Sequence, residues 1–349
     1  MDTPGDAATL FRTVWGSHRS TPLLELPALA RRTGVAKVLV KAEGERPLAN
    51  FKSLGATVAC MRALARAVSA QQASATWSPG TVSGSLPRLL CASDGNHGLA
   101  VAATARAAGT AATVYLPSGT SEARAARIEA FGARVQWIAG TYDAAVLEAA
   151  DAAVRGEGLL IADTSPDPHD QCVGDVLDGY RLLTEEIVSQ CGDMGFKGPS
   201  HAFVQAGVGG LAASVATGLQ ATLRKPRGLI IVEPGAAACV ALALAEGDPR
   251  PVPGDLQTCA EMLSCGLASA VALEHLRPFQ PASILVGEED LAAAPARLVA
   301  DGGPASTPTG ATGLAGFLLA AAQPAFRHAI GLDEQSIVLL IATEGPVAA

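Results

Sequence analysis

A turn-rich stretch that leads into an apolar helix organises the rest of this chain: Arg46-Pro47-Leu48-Ala49-Asn50-Phe51-Lys52-Ser53-Leu54-Gly55-Ala56. Pro47 and Asn50 interrupt regular structure, so the stretch delivers Lys52 to the start of the helix that follows. A lysine in a partly desolvated site can lose its proton and form a covalent bond with a carbonyl compound. Taken alone, the pattern favours an ordinary lysine whose stem lies on an apolar surface and whose ammonium group reaches water.

A second stretch, Gly207-Val208-Gly209-Gly210, lies between an apolar strand and a helix. Backbone N–H groups at such a helix start, together with the positive end of the helix dipole, can hold a phosphate dianion. The pattern is neither the G-x-x-x-x-G-K-[ST] of a P-loop nor the G-x-G-x-x-G of a dinucleotide site. A bare glycine turn at a strand end is common, so phosphate binding is a hypothesis that needs support from other motifs.

A third stretch, Ser93-Asp94-Gly95-Asn96-His97-Gly98, also follows a strand and precedes a helix. Its N–H groups can receive a carboxylate, and the Asn96 amide can donate to a neighbouring oxygen. The alternative is a capped turn in which Ser93 or Asp94 closes the helix and His97 points to solvent. His97 as a general base is a weaker hypothesis, because the sequence indicates no partnered Ser or Cys nucleophile nearby.

Short apolar strands alternate with alanine-rich helices along most of the chain, which predicts an α/β fold. Strands are predicted at 38–43, 89–93, 113–117, 134–138, 159–164, 201–206, 228–232 and 336–342. Helices are predicted at 29–34, 53–70, 121–131, 142–154 and 211–223, with others that end near 108 and near 188. Several strands are wholly apolar, as expected for parallel strands covered on both faces. The segment 247–308 has many prolines and no clear period, so its elements are not predicted.

Composition excludes several classes of protein. With 349 residues, 49% of them hydrophobic and 17% charged, the chain can bury a large core and is long enough for two domains. A net charge of −8 without a basic cluster gives no support for a nucleic-acid or anionic-membrane partner. The N-terminus lacks the pattern of a secretory signal and no apolar run could span a bilayer, so a cytoplasmic location is expected. Seven cysteines without a C-x-x-C pair are typical of buried thiols, not of disulfides or a metal site.

In the order in which they occur, Asn50-Phe51-Lys52 and the two later stretches resemble the motifs of the fold-type II pyridoxal-phosphate enzymes. This is the family of tryptophan synthase β, threonine synthase and serine/threonine dehydratase. The resemblance covers most of the chain, from Ser20 to Gly345. Within the family it is strongest to the diaminopropionate ammonia-lyases, because Asp94 precedes the Gly-Asn-His-Gly run where dehydratases usually carry a small neutral residue.

The resemblance implies pyridoxal 5'-phosphate as the cofactor. It also implies a fold of two parallel-type α/β domains with the active site between them. Residues 1–70 and 180–349 would form the large domain that binds the cofactor, and residues 71–179 the small inserted domain. A small amino acid would be the substrate, the protein would be a homodimer, and no residue of the site is predicted to bind a metal.

The same resemblance assigns roles to individual positions. Lys52 would carry the cofactor, Asn96 would lie beside its phenolic oxygen, and Asp94 would be a second base on the opposite face from Lys52. The phosphate would lie against Gly207, Val208, Gly209, Gly210 and Leu211. The substrate would contact Ser93, Asp94, Gly95, His97 and Asp163, and Asp163 would meet its distal ammonium group.

The implied reaction is an α,β-elimination of 2,3-diaminopropionate, or of a close β-substituted amino acid, to pyruvate and ammonia. Alternatives are a serine/threonine dehydratase, a β-replacement enzyme, a protein that binds the cofactor without turnover and an ordinary nucleotide-binding α/β protein. Two departures from the family pattern leave the substrate open. Pro166-Asp167-Pro168-His169 follows Asp163-Thr164-Ser165 where Trp, an acidic residue, Gly and Tyr are usual. The stretch 306–313 also replaces an expected Ser-Gly-Glu-Ser-Gly pattern.

Overall fold

The computed structural model describes residues 5–71, 86–93 and 95–346 of the chain. Its α-helices, numbered in chain order, are α1 Ala7–Trp15, α2 Pro27–Thr33, α3 Lys52–Gln71, α4 Asn96–Ala108, α5 Glu122–Glu129, α6 Tyr142–Val154, α7 Gln171–Asp193, α8 Gly210–Gly218, α9 Cys239–Glu246, α10 Ala270–Leu276, α11 Glu288–Ala300, α12 Pro308–Ala322 and α13 Pro324–Ile330. Its β-strands are β1 Leu23–Glu25, β2 Lys37–Ala42, β3 Leu89–Ala92, β4 Ala112–Pro117, β5 Arg134–Ile138, β6 Leu159–Leu160, β7 His201–Gln205, β8 Leu229–Pro234, β9 Ala282–Val286 and β10 Ile337–Ala342. Among these described residues, none of the helices has the length and the apolar character needed to cross a membrane.

Two sheets carry the strands and confirm the predicted α/β fold. The larger sheet has the order β1-β2-β10-β7-β8-β9, and all of its neighbouring pairs except β1 with β2 are parallel. The smaller sheet has the order β5-β4-β3-β6 and is parallel throughout. Every residue of β8 and all but the first of β10 are buried, because helices cover a parallel sheet on both faces.

Some sequence predictions are wrong for identifiable physical reasons. Helix α7 continues to Asp193 instead of ending near 188, because the buried Ile187 and Cys191 keep its apolar face against the core. Strand β6 is shorter than predicted, since only its two leucines pair with β3. Segment 247–308, for which no elements were predicted, contains the edge strand β9. Leu285 in this strand is half exposed, so the apolar pattern is weak. No cysteine of the described residues forms a disulfide, but Cys259 is exposed where burial was expected.

The two sheets use different parts of the chain. The smaller sheet takes its strands from the central part, between Leu89 and Leu160, whereas the larger sheet takes its strands from both sides of it. We keep the division into a large domain of 1–70 with 180–349 and a small domain of 71–179 as a proposal. Its second boundary falls within α7, which runs without a break and packs against both α3 and α8.

Helices α3 and α7 cross closely about one turn after Lys52. Two glycines face each other there: an added Cβ at Gly179 would lie 2.7 Å from the Cα of Gly55. An added Cβ at Gly55 would lie 2.5 Å from Cε1 of Tyr180, whose ring packs on Phe51 with a centroid distance of 4.9 Å. The crossing therefore has no room for a methyl group on either helix.

A buried cluster of charges holds the chain just ahead of Lys52. Arg46 Nη1 lies 2.7 Å from Oε1 of Glu186, and Arg46 Nη2 lies 2.7 Å from Oε1 of Glu43. Lys41 Nζ lies 2.6 Å from the other oxygen of Glu186. All four side chains are buried, so the loss of one partner would leave an unpaired charge in the interior. The cluster ties β2 and the lysine stretch to α7.

Gly179→Ala should lower the free energy of unfolding by about 2 kcal/mol, because overpacking a tight contact costs about 1–3 kcal/mol. Gly174→Ala lies in the same helix and is the matched control, since nothing lies within 4 Å of an added Cβ at that position. We expect this control to be neutral or to stabilise by about 0.5–1 kcal/mol through its better helix propensity. Urea unfolding measures both variants, and equal effects would contradict the close crossing.

Candidate active site

The three sequence motifs meet around a partly enclosed cavity. The segments that follow the carboxyl ends of β3, β6, β7 and β10 form its wall, which is where parallel sheets usually bind ligands. The predicted site residues on this wall are Lys52, Ser93, Asn96, His97, Asp163, Gly207, Val208, Gly209, Gly210 and Leu211. Long-range strand order thus brings together residues that lie far apart in the sequence.

Lys52 and Asp163 form an ion pair in this cavity. Lys52 Nζ lies 2.6 Å from Oδ2 of Asp163, and the Tyr142 hydroxyl donates to Oδ1 at 2.8 Å. Burial would lower the pKa of Lys52, but the Asp163 carboxylate outweighs burial and holds that pKa well above its ordinary value. Burial likewise opposes ionisation of Asp163, yet Lys52 keeps the pKa of Asp163 well below its usual range. While they face each other, the lysine is an ammonium and the aspartate a carboxylate.

His97 lies beside this pair and is buried, so the alternative in which it points to solvent is wrong. Its Nε2 lies 2.9 Å from the carbonyl oxygen of Ile161, and its Nδ1 lies 3.9 Å from Oδ2 of Asp163. A carbonyl oxygen only accepts, so we assign the hydrogen to Nε2 and leave Nδ1 as an acceptor. Burial lowers the pKa of His97 below its ordinary value, which favours the neutral ring.

The turn ahead of α4 is shaped by Ser93. Its Oγ accepts hydrogen bonds from the N–H groups of Gly95 at 2.9 Å and Gly98 at 2.8 Å. Ser93 thus has the capping role that was the alternative to substrate binding, although its side chain also lines the cavity. Gly95 lines a small recess behind Asn96, not the main cavity. Asp94 lies outside the described residues, so its assignment as a second base stays a prediction.

The glycine turn between β7 and α8 forms one end of the cavity. Gly209 has a φ of 99°, in the left-handed region that favours glycine. An added Cβ there would lie 3.1 Å from Cβ of Ala272 and 3.2 Å from Cγ2 of Val240. The first turn of α8 leaves N–H groups without intrahelical partners. The turn therefore offers backbone donors to the cavity, and phosphate binding there stays a prediction.

The long-range strand order also brings to the wall four polar residues that the sequence motifs did not indicate: Tyr142, Tyr180, Gln205 and Glu344. Glu344 follows β10 and accepts hydrogen bonds from the Asn96 amide and from the Thr307 hydroxyl. Gln205 ends β7, and its Nε2 donates to the carbonyl oxygen of Ile341 at 2.9 Å. Both Glu344 and Gln205 could have been found from the sequence, because each lies at the carboxyl end of a predicted parallel strand.

Comparison with known families agrees with this geometry. The family model for "Pyridoxal-phosphate dependent enzyme" matches residues 14–343. This chain belongs to that family. The match covers nearly the whole chain and confirms pyridoxal phosphate as the cofactor and fold-type II as the fold.

Individual members of the family are similar to this chain over most of its length. Diaminopropionate ammonia-lyase of Escherichia coli (strain K12) is 30% identical over 351 residues, which are 97% of this chain and 87% of the relative. The E. coli enzyme in complex with the aminoacrylate-PLP azomethine reaction intermediate has a TM-score of 0.81 and 29% identity, covering 98% of this chain and 89% of that one. The serine dehydratase-like protein of Mus musculus is 28% identical over 284 residues, which are 81% of this chain and 77% of the relative.

The cavity residues fit the cofactor of the family. An added Cβ at Gly209 would press on Ala272 and Val240 and would shift the turn whose N–H groups line the cavity. The amine of Lys52 lines the same cavity. In the described part of the chain, no group of three or more His, Cys, Asp or Glu side chains could hold a metal ion.

Gly209→Ala should weaken the binding of pyridoxal phosphate about tenfold or more, because the added methyl group would press on Ala272 and Val240 and shift the turn. Gly247→Ala is the matched control, since Gly247 also has a positive φ of 85° but nothing lies within 4 Å of an added Cβ. The control carries the same backbone strain at the end of α9 and should keep the parent affinity. Fluorescence titration of the apoprotein with the cofactor measures both. Unchanged affinity in Gly209→Ala would contradict the phosphate site.

Asp163→Asn should lower the pKa of Lys52, because burial then disfavours the ammonium without an opposing carboxylate. As the pH rises, the apoprotein of this variant should begin to react with pyridoxal phosphate at a lower pH than the parent. Borohydride trapping of the adduct on Lys52 across a pH series measures the shift. Asp167→Asn, an exposed position in the following loop, should keep the parent profile. An unchanged or upward-shifted profile in Asp163→Asn would contradict the assigned ion pair.

Proposed function

We propose that this protein is a pyridoxal-phosphate-dependent ammonia-lyase that converts 2,3-diaminopropionate, or a close β-substituted amino acid, to pyruvate and ammonia. The observation that carries the proposal is the buried carboxylate of Asp163, 2.6 Å from the amine of Lys52 in the cavity where the family motifs meet. The similarity to E. coli diaminopropionate ammonia-lyase over 97% of the chain supports this substrate class.

Three sets of groups would hold the cofactor. Lys52 would bind it through the side-chain amine, the N–H groups from Gly207 to Leu211 would bind its phosphate, and the Asn96 amide would face its phenolic oxygen. When bound, pyridoxal phosphate supplies an electron sink that stabilises negative charge at the α-carbon of the substrate. The family motifs and the position of these groups on one cavity wall support the assignment.

Asp163 would orient the substrate and keep its leaving group charged. Its Oδ1 is held by the Tyr142 hydroxyl, so Oδ2 is the atom that faces an ammonium group. The distal ammonium of the substrate would replace the Lys52 ammonium at Oδ2. A buried carboxylate favours the protonated form of an amine, and ammonia leaves more readily than its anion. The unprotonated Nδ1 of His97 lies on the same side and could accept a second hydrogen bond from this ammonium.

Replacement of the Lys52 ammonium at Asp163 by the substrate would also free Lys52 to act as a base. Lys52 cannot accept a proton while it is an ammonium paired with Asp163. Once another cation takes its place at Asp163, burial lowers the pKa of Lys52 and its neutral amine can remove an α-proton. Asp94 would remove the α-proton of the opposite enantiomer. The distal amine then leaves as ammonia to give 2-aminoacrylate, and hydrolysis of 2-aminoacrylate gives pyruvate and a second ammonia.

A serine/threonine dehydratase is the second candidate, because the serine dehydratase-like protein of the mouse is 28% identical. A hydroxyl substrate brings no cation to Asp163, so the buried carboxylate would lose the positive partner that holds its pKa low against the effect of burial. The charge at this position therefore favours an ammonium leaving group over a hydroxyl. A cofactor-binding protein without turnover has less support, since the unusual residues 166–169 are all exposed.

The proposal also covers the setting in which the protein works. We infer a homodimer in the cytoplasm, with a small amino acid as its ligand and without a nucleic-acid or membrane partner. The absence of disulfides among the described residues suits a reducing compartment. The dimer rests on the family resemblance alone.

Asp94→Asn should lose turnover of one enantiomer of 2,3-diaminopropionate by about a hundredfold or more and keep turnover of the other, because each base reaches only one face of the substrate. Asparagine caps helices about as well as aspartate, so a purely capping role for residue 94 predicts little change. A pyruvate assay with the D- and L-enantiomers measures parent and variant.

Two further outcomes of this assay separate the hypotheses. Equal activity of parent and variant on both enantiomers would leave Lys52 as the base and end the second-base assignment. L-Serine serves as the comparison substrate for the parent, and we expect it to react more slowly than 2,3-diaminopropionate. Faster turnover of serine or threonine would favour the dehydratase instead.

A further inference from the structure

Glu344 is a buried carboxylate at the edge of the cofactor cavity that none of the proposed steps uses. The Asn96 Nδ2 donates to its Oε2, and the Thr307 hydroxyl donates to its Oε1. These partners come from the start of α4 and from the N-cap of α12, and Glu344 itself follows β10. The carboxylate therefore joins three elements next to the proposed place of the cofactor ring.

The neighbours of Glu344 fix the direction of its hydrogen bonds. The N–H of Gly310 donates to Thr307 Oγ1 at 3.0 Å, which leaves the Thr307 hydrogen to point at Glu344. An ionised carboxylate accepts at both oxygens, so the NH2 side of the Asn96 amide has to face it. Burial raises the pKa of Glu344 above its ordinary value, while both hydrogen bonds and the charges of Arg124 and Arg127 oppose that rise.

The backbone on both sides of Glu344 is fastened to the lysine stretch. Glu344 forms an antiparallel bridge with Asn50, and the N–H of Gly345 donates to the carbonyl oxygen of Ala49 at 2.9 Å. The N–H of Phe51 donates to the carbonyl oxygen of Thr343 at 3.1 Å. Glu344 is thus held in register with Lys52, and it cannot move without displacing the chain ahead of the lysine.

We propose that Glu344 is a positioning residue that keeps the Asn96 amide turned so that an N–H, not the amide oxygen, faces the phenolic oxygen of pyridoxal phosphate. The inference rests on the proposed role of Asn96 in cofactor binding. An unrestrained amide can present either end, and its oxygen would repel an anionic phenolic oxygen. By accepting one N–H of the amide, the carboxylate excludes the flipped orientation and leaves the second N–H as a donor.

A double-mutant cycle between Glu344 and Asn96 tests the inference, with the affinity of the apoprotein for pyridoxal phosphate as the readout. Glu344→Gln keeps the shape of the side chain but can face either end of the Asn96 amide. It should weaken cofactor binding about tenfold in the parent and less than about twofold in the Asn96→Ala background. The coupling is expected because Glu344 acts through Asn96.

The matched control is Glu261→Gln. Glu261 pairs with Arg124 at 2.5 Å and is largely exposed, and it has no bond to Asn96. Removing this carboxylate changes the charge near Arg124 but not the orientation of the Asn96 amide. Glu261→Gln should therefore leave cofactor affinity within about twofold of the starting protein in both backgrounds. A loss in the control equal to that of Glu344→Gln would mean that charge alone, not the orientation of the amide, causes the effect.

Each remaining outcome is decisive. Unchanged affinity in Glu344→Gln, or an equal loss in both backgrounds, would overturn the inference while leaving the proposed function intact. Unchanged affinity in Asn96→Ala would instead refute the role of Asn96, and the inference would fall with it. If Glu344→Gln does not fold, Glu344→Asp enters the same cycle, since it keeps the charge but withdraws the carboxylate from Asn96. Failure of both variants to fold would show that Glu344 supports the fold itself and would also overturn the inference.

Discussion

The ion pair between Lys52 and Asp163 is the interaction on which the candidate site depends. It joins the start of α3 to the loop after β6, so it connects segments next to the larger and the smaller sheet at one cavity. Buried pairs add little net stability because desolvation offsets their attraction, but the loss of one partner is costly. We therefore interpret the pair as a functional device. It keeps a reactive amine protonated until another cation occupies the carboxylate.

The position of that lysine is secured by parts of the structure that have no chemical role. Leu48 and Ala49, just ahead of Lys52, have positive φ values of 66° and 57°, which side chains rarely adopt. Such backbone strain costs about 1–3 kcal/mol at each residue and persists only where the surroundings fix the chain. Here the charge cluster around Arg46 and the hydrogen bonds to the chain after β10 supply that constraint. The fold thus holds Leu48 and Ala49 in a backbone conformation that their side chains disfavour, and this conformation positions the Lys52 amine.

Local pattern predicted the elements well, and long-range pairing explains what it missed. Helix α6 begins and ends where the sequence predicted, because its apolar period and its flanking glycines are local signals. The partnership of Asp163 with Lys52 was not predicted, since it depends on the smaller sheet meeting α3. Glu344 was missed for the same reason, because strand β10 reaches the site only by pairing with β2 and β7. Sequence motifs thus identified many of the residues that line the cavity, but not the partners that orient them.

The charges of the cavity bear on the choice of substrate. Among its described residues, the cation that faces Asp163 keeps the pKa of this carboxyl low against the effect of burial, and burial lowers the pKa of His97. Once the amine of Lys52 has lost its proton, a bound cofactor phosphate would add to the negative charge of this buried space. Uncompensated charge in the interior is costly, so a ligand that brings a second cation is favoured over one that brings a neutral hydroxyl. In a diamino acid, the second cation is the distal ammonium, which is also the leaving group. Asp163 would therefore serve binding and elimination in the same way, by pairing with this ammonium.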